Sequence, residues 1–445
     1  MSGNLFDTAA VLFLLAAVFG LINHHLLKLP FTIGLMLSAL SASIATLVLD
    51  AAFPGLGLGD SVRQIISSID FTEALMHGML GFLLFAGALH VDLGELLDRK
   101  GPILVLSSFG LALSAAILGL GSFGIFTALD VHVPLTYCLV FGALISPTDP
   151  IAVLGIMKSI GAPKSLEIKV AGESLFNDGF AVVLFAVLLA IANAAGGGDH
   201  HAAEAAADAA HHGPALEFGA IAWFTIREVL GGIVLGLLGG YLTFQEMRRI
   251  DEPNLEMLLS VALVMGLTAI AFRLHTSAPL ACVVAGLLIG NRGRRLAMSD
   301  RTRNALDIIW SFLDEAMNAI LFLLVGLEVL SIPFEGTFLI AAALLIPLAL
   351  LGRWISVSIP ILLMKRLREF PEGTIRVLTW GGLKGGISVA LALSLPEFPG
   401  RGAVITATYA VVVFSILVQG LTIGKVIERV TVADDVVDDS GHPSH

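Results

Sequence analysis

Asp178 closes the string Gly172-Glu173-Ser174-Leu175-Phe176-Asn177-Asp178, inside an otherwise apolar stretch from 170 to 194. On a helix, Ser174 and Asp178 are four apart and share a face, while Glu173 and Asn177 form the adjacent stripe. A hydroxyl beside a carboxylate suits a hard cation better than sulfur or imidazole ligands would. Exclusion of water penalises a bare carboxylate charge, so a proton and a cation would compete for the same oxygen atoms. Other polar groups stand in apolar surroundings at Ser146-Pro147-Thr148-Asp149-Pro150, at Arg353 and at Gly381-Gly382-Leu383-Lys384-Gly385-Gly386. Asp314 and Glu315 lie at moderate depth in a further apolar stretch that ends with Glu328. An ionisable group at mid-bilayer costs several kcal/mol, which makes each a functional candidate by default.

The surroundings of these groups are a membrane. Hydrophobic residues make up 56% of the 445 and charged ones 14%, where a water-soluble fold needs roughly a quarter charged. The 47 glycines fit helix contacts inside a bilayer. Runs of about 20 apolar residues, enough to cross the hydrocarbon, number about thirteen. They fall near 8–27, 31–49, 72–93, 102–127, 133–156, 170–194, 219–244, 255–273, 278–291, 305–330, 335–364, 373–395 and 403–427. The expected fold is therefore an all-α polytopic membrane protein. The start, MSGNLFD, lacks the positive charge of a signal peptide, so its apolar stretch reads as a retained helix.

Lys and Arg fix the orientation, because cytoplasmic loops retain positive charge. Alternate loops carry Lys28, Arg99 with Lys100, Lys158 with Lys164 and Lys169, and Arg248 with Arg249. The series continues through Arg292, Arg294, Arg295, Arg301 and Arg303, then Lys365, Arg366 and Arg368, and ends with Lys425 and Arg429. The opposite loops hold Arg63, Arg273 and Arg401, with Arg227 near a helix start. This bias predicts an outer N-terminus and a cytoplasmic C-terminus.

Two spans should be interrupted. Pro147 and Pro150 each remove a backbone donor and clash with the preceding turn, opening the fifth span around Thr148 and Asp149. Paired glycines flank Lys384 and weaken the twelfth. Opened backbone at membrane depth survives only in protein or along a wet cavity. By the charge bias the fifth span runs inward and the twelfth outward, and interrupted helices of opposite direction in two halves point to an inverted-repeat transporter site. Glu173 has two readings: counter-charge to Arg353, or direct contact with an ion.

Other features carry less. Cys138 and Cys282 lie in apolar spans and read as small buried hydrophobes. The net charge of −11 collects in the segment from Asp199 to Glu217 and in the tail with Asp434, Asp435, Asp438 and Asp439, and no basic block suggests nucleic acid. The outer stretch from Ala194 to Pro214 reads as a flexible linker with four histidines. The acidic tail after Val432 reads as unstructured. No metal-ligand cluster or nucleophile–base pair marks an enzyme, and no cofactor is implied.

At S-P-T-D-P (146–150), G-E-S-L-F-N-D-G (172–179), G-R (352–353) and G-G-L-K-G-G (381–386) the chain resembles the first cation–proton antiporter family, the bacterial and animal sodium–proton exchangers. The order of these motifs and the number and direction of spans agree along nearly the whole chain. The resemblance implies a homodimer in a bacterial inner membrane, each subunit split into a dimerisation domain and a mobile core domain. On that pattern 1–100 and 251–330 form the dimerisation domain, 101–194 and 335–429 the core, 195–218 an outer loop, 219–250 a linker helix and 430–445 a cytoplasmic tail. It implies that Asp178 is the shared ion and proton carboxylate, with Ser174, Asp149 and the Thr148 carbonyl nearby holding Na⁺. Asn177 would hydrogen-bond opened backbone, and Glu173–Arg353 would be a structural ion pair. The Asn-Asp pair at 177–178 goes in this family with electroneutral exchange. Two departures stand out: Ala86 replaces a third-span glutamate found in some members, and Lys384 stands where an arginine is usual. The alternatives are K⁺/H⁺ or broad Na⁺/Li⁺/K⁺ exchange, Na⁺-coupled symport of an organic solute, and a channel.

Overall fold

A computed structural model describes residues 5–53, 74–94, 100–149, 153, 157, 164–196, 218–332, 335–365 and 373–439. Every regular element among them is helical. With no water to bond, a membrane-embedded backbone must close its hydrogen bonds within its own segment, and a helix does so.

Each of the thirteen expected spans meets a helix. They are α1 (Leu5–Ile22), α2 (Phe31–Ala52), α3 (Leu80–Leu89), α4 (Leu111–Ala128), α5 (Leu135–Ile145), α6 (Lys164–Gly196) and α7 (Phe218–Met247). Then follow α8 (Pro253–Leu274), α9 (Ala278–Leu288), α10 (Asp300–Leu327) and α11 (Gly336–Met364). The twelfth span is divided into α12 (Thr374–Trp380) and α13 (Gly386–Leu393), and the last comprises α14 (Arg401–Phe414) and α15 (Gly420–Asp439). Nine helices among the described residues are long and apolar enough to cross a membrane.

Sequence punctuation sets several ends. Pro134 precedes α5, Pro253 opens α8 where its missing N–H is no loss, and the hydroxyls of Ser277 and Ser299 cap α9 and α10. Pro347 and Pro360 lie inside α11 without dividing it. Five π turns among the described residues, at Asn23–Leu27, Ala74–Met79, Leu106–Gly110, Ile289–Gly293 and Ser415–Gln419, have no evident sequence signal.

Packing brings distant parts of the chain together. α4 lies against α5 and α11, α5 against α6, and α11 against α14. Elsewhere α9 is covered by α3 and α7, and α10 by α2, α3 and α8. Both cysteines are buried and free.

One expectation needs correction. Helix α15 runs on to Asp439, so the backbone after Val432 is helical where composition reads as unstructured. The histidine-rich stretch from 197, Pro150 and residues 440–445 lie outside the described residues.

Candidate functional site

α5 ends at Ile145 and the chain is non-helical through Asp149; α12 ends at Trp380 and helix resumes at Gly386. The two interruptions meet. The Asp149 N–H donates to the Leu383 carbonyl at 2.8 Å, the Ser388 hydroxyl to the Leu144 carbonyl at 2.6 Å, and Lys384 Nζ to the Ser146 and Pro147 carbonyls at 3.0 and 3.2 Å. As one partner advances from 144 to 149, the other retreats from 388 to 383. The breaks therefore lie antiparallel, as expected of helices that run in opposite directions.

Helix electrostatics explains which charge stands where. The carbonyl end of α5 carries partial negative charge, and the Lys384 ammonium sits on it. Gly385 is the N-cap of α13, whose positive end lies beside Asp149. The glycines here serve close approach. A Cβ on Gly385 would come within 2.6 Å of Asp149 Oδ2, and one on Gly382 within 2.6 Å of Arg353 Nε. Neither glycine has positive φ. Crowding, more than backbone freedom, requires the missing side chains.

α6 presents its polar stripe to this crossing. Ser174 Oγ lies 3.0 Å from Thr148 Oγ1, and Asn177 Nδ2 donates to the same Thr148 hydroxyl at 3.4 Å. Asn177 was expected to bond opened backbone, yet its partner is this side chain; its Oδ1 is buried without a partner. Asp178 is 7% exposed, and Asp149 and Lys384 are charged groups close enough to act on it. Thus Asp178, Asp149, Ser174, Thr148, Asn177 and Lys384 come together. Two hydroxyls and two carboxylates in buried surroundings can hold a hard monovalent cation, and either carboxylate can take a proton instead.

Glu173 belongs to a neighbouring cluster. Both its oxygens accept from Arg353, Nη1 to Oε1 and Nη2 to Oε2 at 2.9 Å, while Arg353 Nε donates to the Leu378 carbonyl at 3.1 Å. This bidentate pair spends Glu173 on a guanidinium and ties α6 to α11 and α12. Ala86 lies in an apolar cluster with Phe85, Leu89 and Trp310, so its side chain brings no oxygen. Ser388 and Ser415, which accepts the Lys384 N–H at 2.8 Å, were not singled out from sequence, because single serines in apolar spans are common.

The chain has counterparts among known proteins. A family model described as sodium/hydrogen exchanger, transmembrane, matches residues 10–429. The chain is 45% identical over 429 residues to the Na⁺/H⁺ antiporter NhaP of Pseudomonas aeruginosa, covering 95% of this chain and 96% of that one. It is 34% identical over 406 residues to the Na⁺/H⁺ antiporter NhaH of Halobacillus dabanensis, covering 91% and 93%. Its fold is similar to that of the sodium proton antiporter MjNhaP1 from Methanocaldococcus jannaschii, with a TM-score of 0.72 at 17% identity over 97% of this chain and 99% of that one. Matched along almost its whole length by the family model and by relatives of this likeness, the chain belongs to the sodium/hydrogen exchanger family.

Proposed function

We propose that this membrane protein exchanges Na⁺ or Li⁺ for H⁺, one for one, at the Asp178 site. The observation that carries the reading is the buried Asp178 beside the Ser174–Thr148 hydroxyl pair and Asp149, at the crossing of two interrupted helices. Facing one side of the membrane, Asp178 releases its proton and takes a cation; the site then turns to the other side and the exchange reverses. If only occupied states make that passage, the two fluxes are coupled. Antiporter relatives support the ion pair, and the Asn177-Asp178 sequence supports electroneutrality.

The moving unit in this reading comprises α4–α6 and α11–α15, with α1–α3 and α8–α10 forming the contact between two copies and α7 linking the halves. The protein would sit in a bacterial inner membrane with its N-terminus outside and its C-terminus in the cytoplasm, serving pH and sodium homeostasis. K⁺/H⁺ or broader exchange is the competing specificity.

The test is purified protein in liposomes with an imposed inward-acid gradient and a pH-sensitive dye. Na⁺, Li⁺, K⁺ or choline is added in turn, with and without a voltage clamp by valinomycin and K⁺. Dequenching by Na⁺ but not choline, unaltered by the clamp, is expected. A response to K⁺ alone changes the substrate and keeps the mechanism; no response to any cation overturns the reading.

A further inference from the structure

Interrupting a helix strands carbonyls on one flank of the break and N–H groups on the other, and such groups need partners when buried. In the twelfth span, two of those partners come from the last span. Ser415 Oγ accepts the Lys384 N–H at 2.8 Å, and Gln419 Nε2 donates to the Trp380 carbonyl at 3.0 Å. Ser415 and Gln419 are the first and last residues of one π turn, and they are 1% and 3% exposed. One helical turn further, Thr422 Oγ1 accepts from the Trp380 indole at 2.8 Å. A stripe of the last span thus grips the break on both flanks.

That grip reaches the carboxylates through few intermediates. Lys384, held by Ser415, fastens the Ser146 and Pro147 carbonyls with its ammonium. Leu383, its neighbour, accepts from the Asp149 N–H. A displacement of the Lys384 backbone is therefore passed to Asp149 through one peptide unit and one hydrogen bond. Segments of π-helix inside α-helices are frequent at functional sites, because they re-aim side chains that a regular helix would point elsewhere.

We propose that Ser415 and Gln419 are positioning residues of the cation site: the π turn of the last span sets where the twelfth-span break, and with it Lys384 and Asp149, stands against Asp178. This rests on the reading of Asp178 and Asp149 as the exchange site. Groups that orient ligands from behind typically change metal affinity by about 10–100-fold when removed.

The experiment measures Na⁺-dependent exchange in proteoliposomes for Ser415→Ala, Ser415→Thr, Gln419→Met and Asp178→Asn, over a range of Na⁺ concentration and pH. Ser415→Ala should raise the apparent KM for Na⁺ about tenfold, with a smaller change in maximal rate and a displaced pH profile. Ser415→Thr, which keeps the hydroxyl, should restore both. Gln419→Met should move KM and the pH profile in the same direction. A folded Ser415→Ala protein with unchanged KM and pH profile overturns the proposal, as does one that lowers only the yield of folded protein. Should Ser415→Ala fail to fold, Gln419→Met carries the same readout. Asp178→Asn separates the two layers: if it still exchanges Na⁺, the site reading falls and the positioning role with it; if it is inactive while both positioning variants behave like the parent, only the positioning role falls.

Discussion

Two of the buried carboxylates are held in contrasting ways. Asp178 lies midway along α6, beside a second carboxylate and a hydroxyl pair, at a crossing of opened backbone. Glu256 lies in the first turn of α8, fully buried, and its Oε1 accepts from Thr302 Oγ1 at 3.0 Å in the first turn of α10. Helix starts favour negative charge, and Glu256 stands at two of them, with Thr302 on its Oε1 and its Oε2 buried without a hydrogen-bond partner. One turn along α8, Ser260 accepts from the Trp310 indole at 2.9 Å and extends the same seam. Burial alone does not mark a transport site. Asp149 and Asp251 put a like charge near each, so the difference is in the oxygens: Glu256 is met by one Thr302 hydroxyl at a helix start, whereas Asp178 stands by the Ser174–Thr148 hydroxyl pair at opened backbone.

Substitutions can break this contrast or sharpen it. Asp178→Asn should abolish cation-dependent dequenching while the protein remains folded by size-exclusion profile; transport at the parental rate would remove Asp178 from the site. Acidification should raise the apparent KM for Na⁺ by about tenfold per pH unit where one proton competes for the site, as read from initial rates. A KM that stays flat between pH 6 and 8 would argue against a shared carboxylate. Glu173→Ala leaves the Arg353 guanidinium buried without its counter-charge and should cost about 3–5 kcal/mol of stability, measured by thermal unfolding of the purified protein. Lost activity at Glu173 would then report folding and not ion contact. Glu256→Gln should cost about 1–2 kcal/mol by removing negative charge from two helix starts, with KM for Na⁺ unchanged; a changed KM would erase the distinction between the two carboxylates. Smallest in its effect on transport, Trp310→Phe loses one hydrogen bond and the volume of a fully buried indole, about 2–3 kcal/mol of stability together, and should leave exchange as it was.

Much of this was legible from residue types. Apolar run length located every span, because a membrane-crossing helix needs about 20 such residues, and Pro147 with the glycines of 381–386 located both breaks. The Ser174–Asp178 spacing placed hydroxyl and carboxylate on one face, and Arg353 called for a buried partner that Glu173 supplies. What stayed hidden depended on tertiary neighbours. Pro347 and Pro360 look as disruptive as Pro147 yet sit in continuous α11, since membrane helices can re-satisfy a freed carbonyl from their surroundings. Gly382 and Gly385 were read as flexible, while their reason is the side chain each would strike. Ser415, Gln419 and Glu256 were missed because a π turn and a meeting of two helix starts exist only once the chain has folded.

The antiparallel match between 144–149 and 383–388 has a mechanical meaning. Its hydrogen bonds join the backbone of 144–149 to the Leu383 carbonyl and to the side chains of Lys384 and Ser388, in steps that offset one another along the crossing. Sliding one segment by a single residue would put all of these pairs out of register at once. On the function proposed above, the crossing would act as a rivet and not as a hinge, and a cation held at Asp178 would keep a cage of nearly constant shape. Access to either face of the membrane would then come from displacement of the whole cage against its frame.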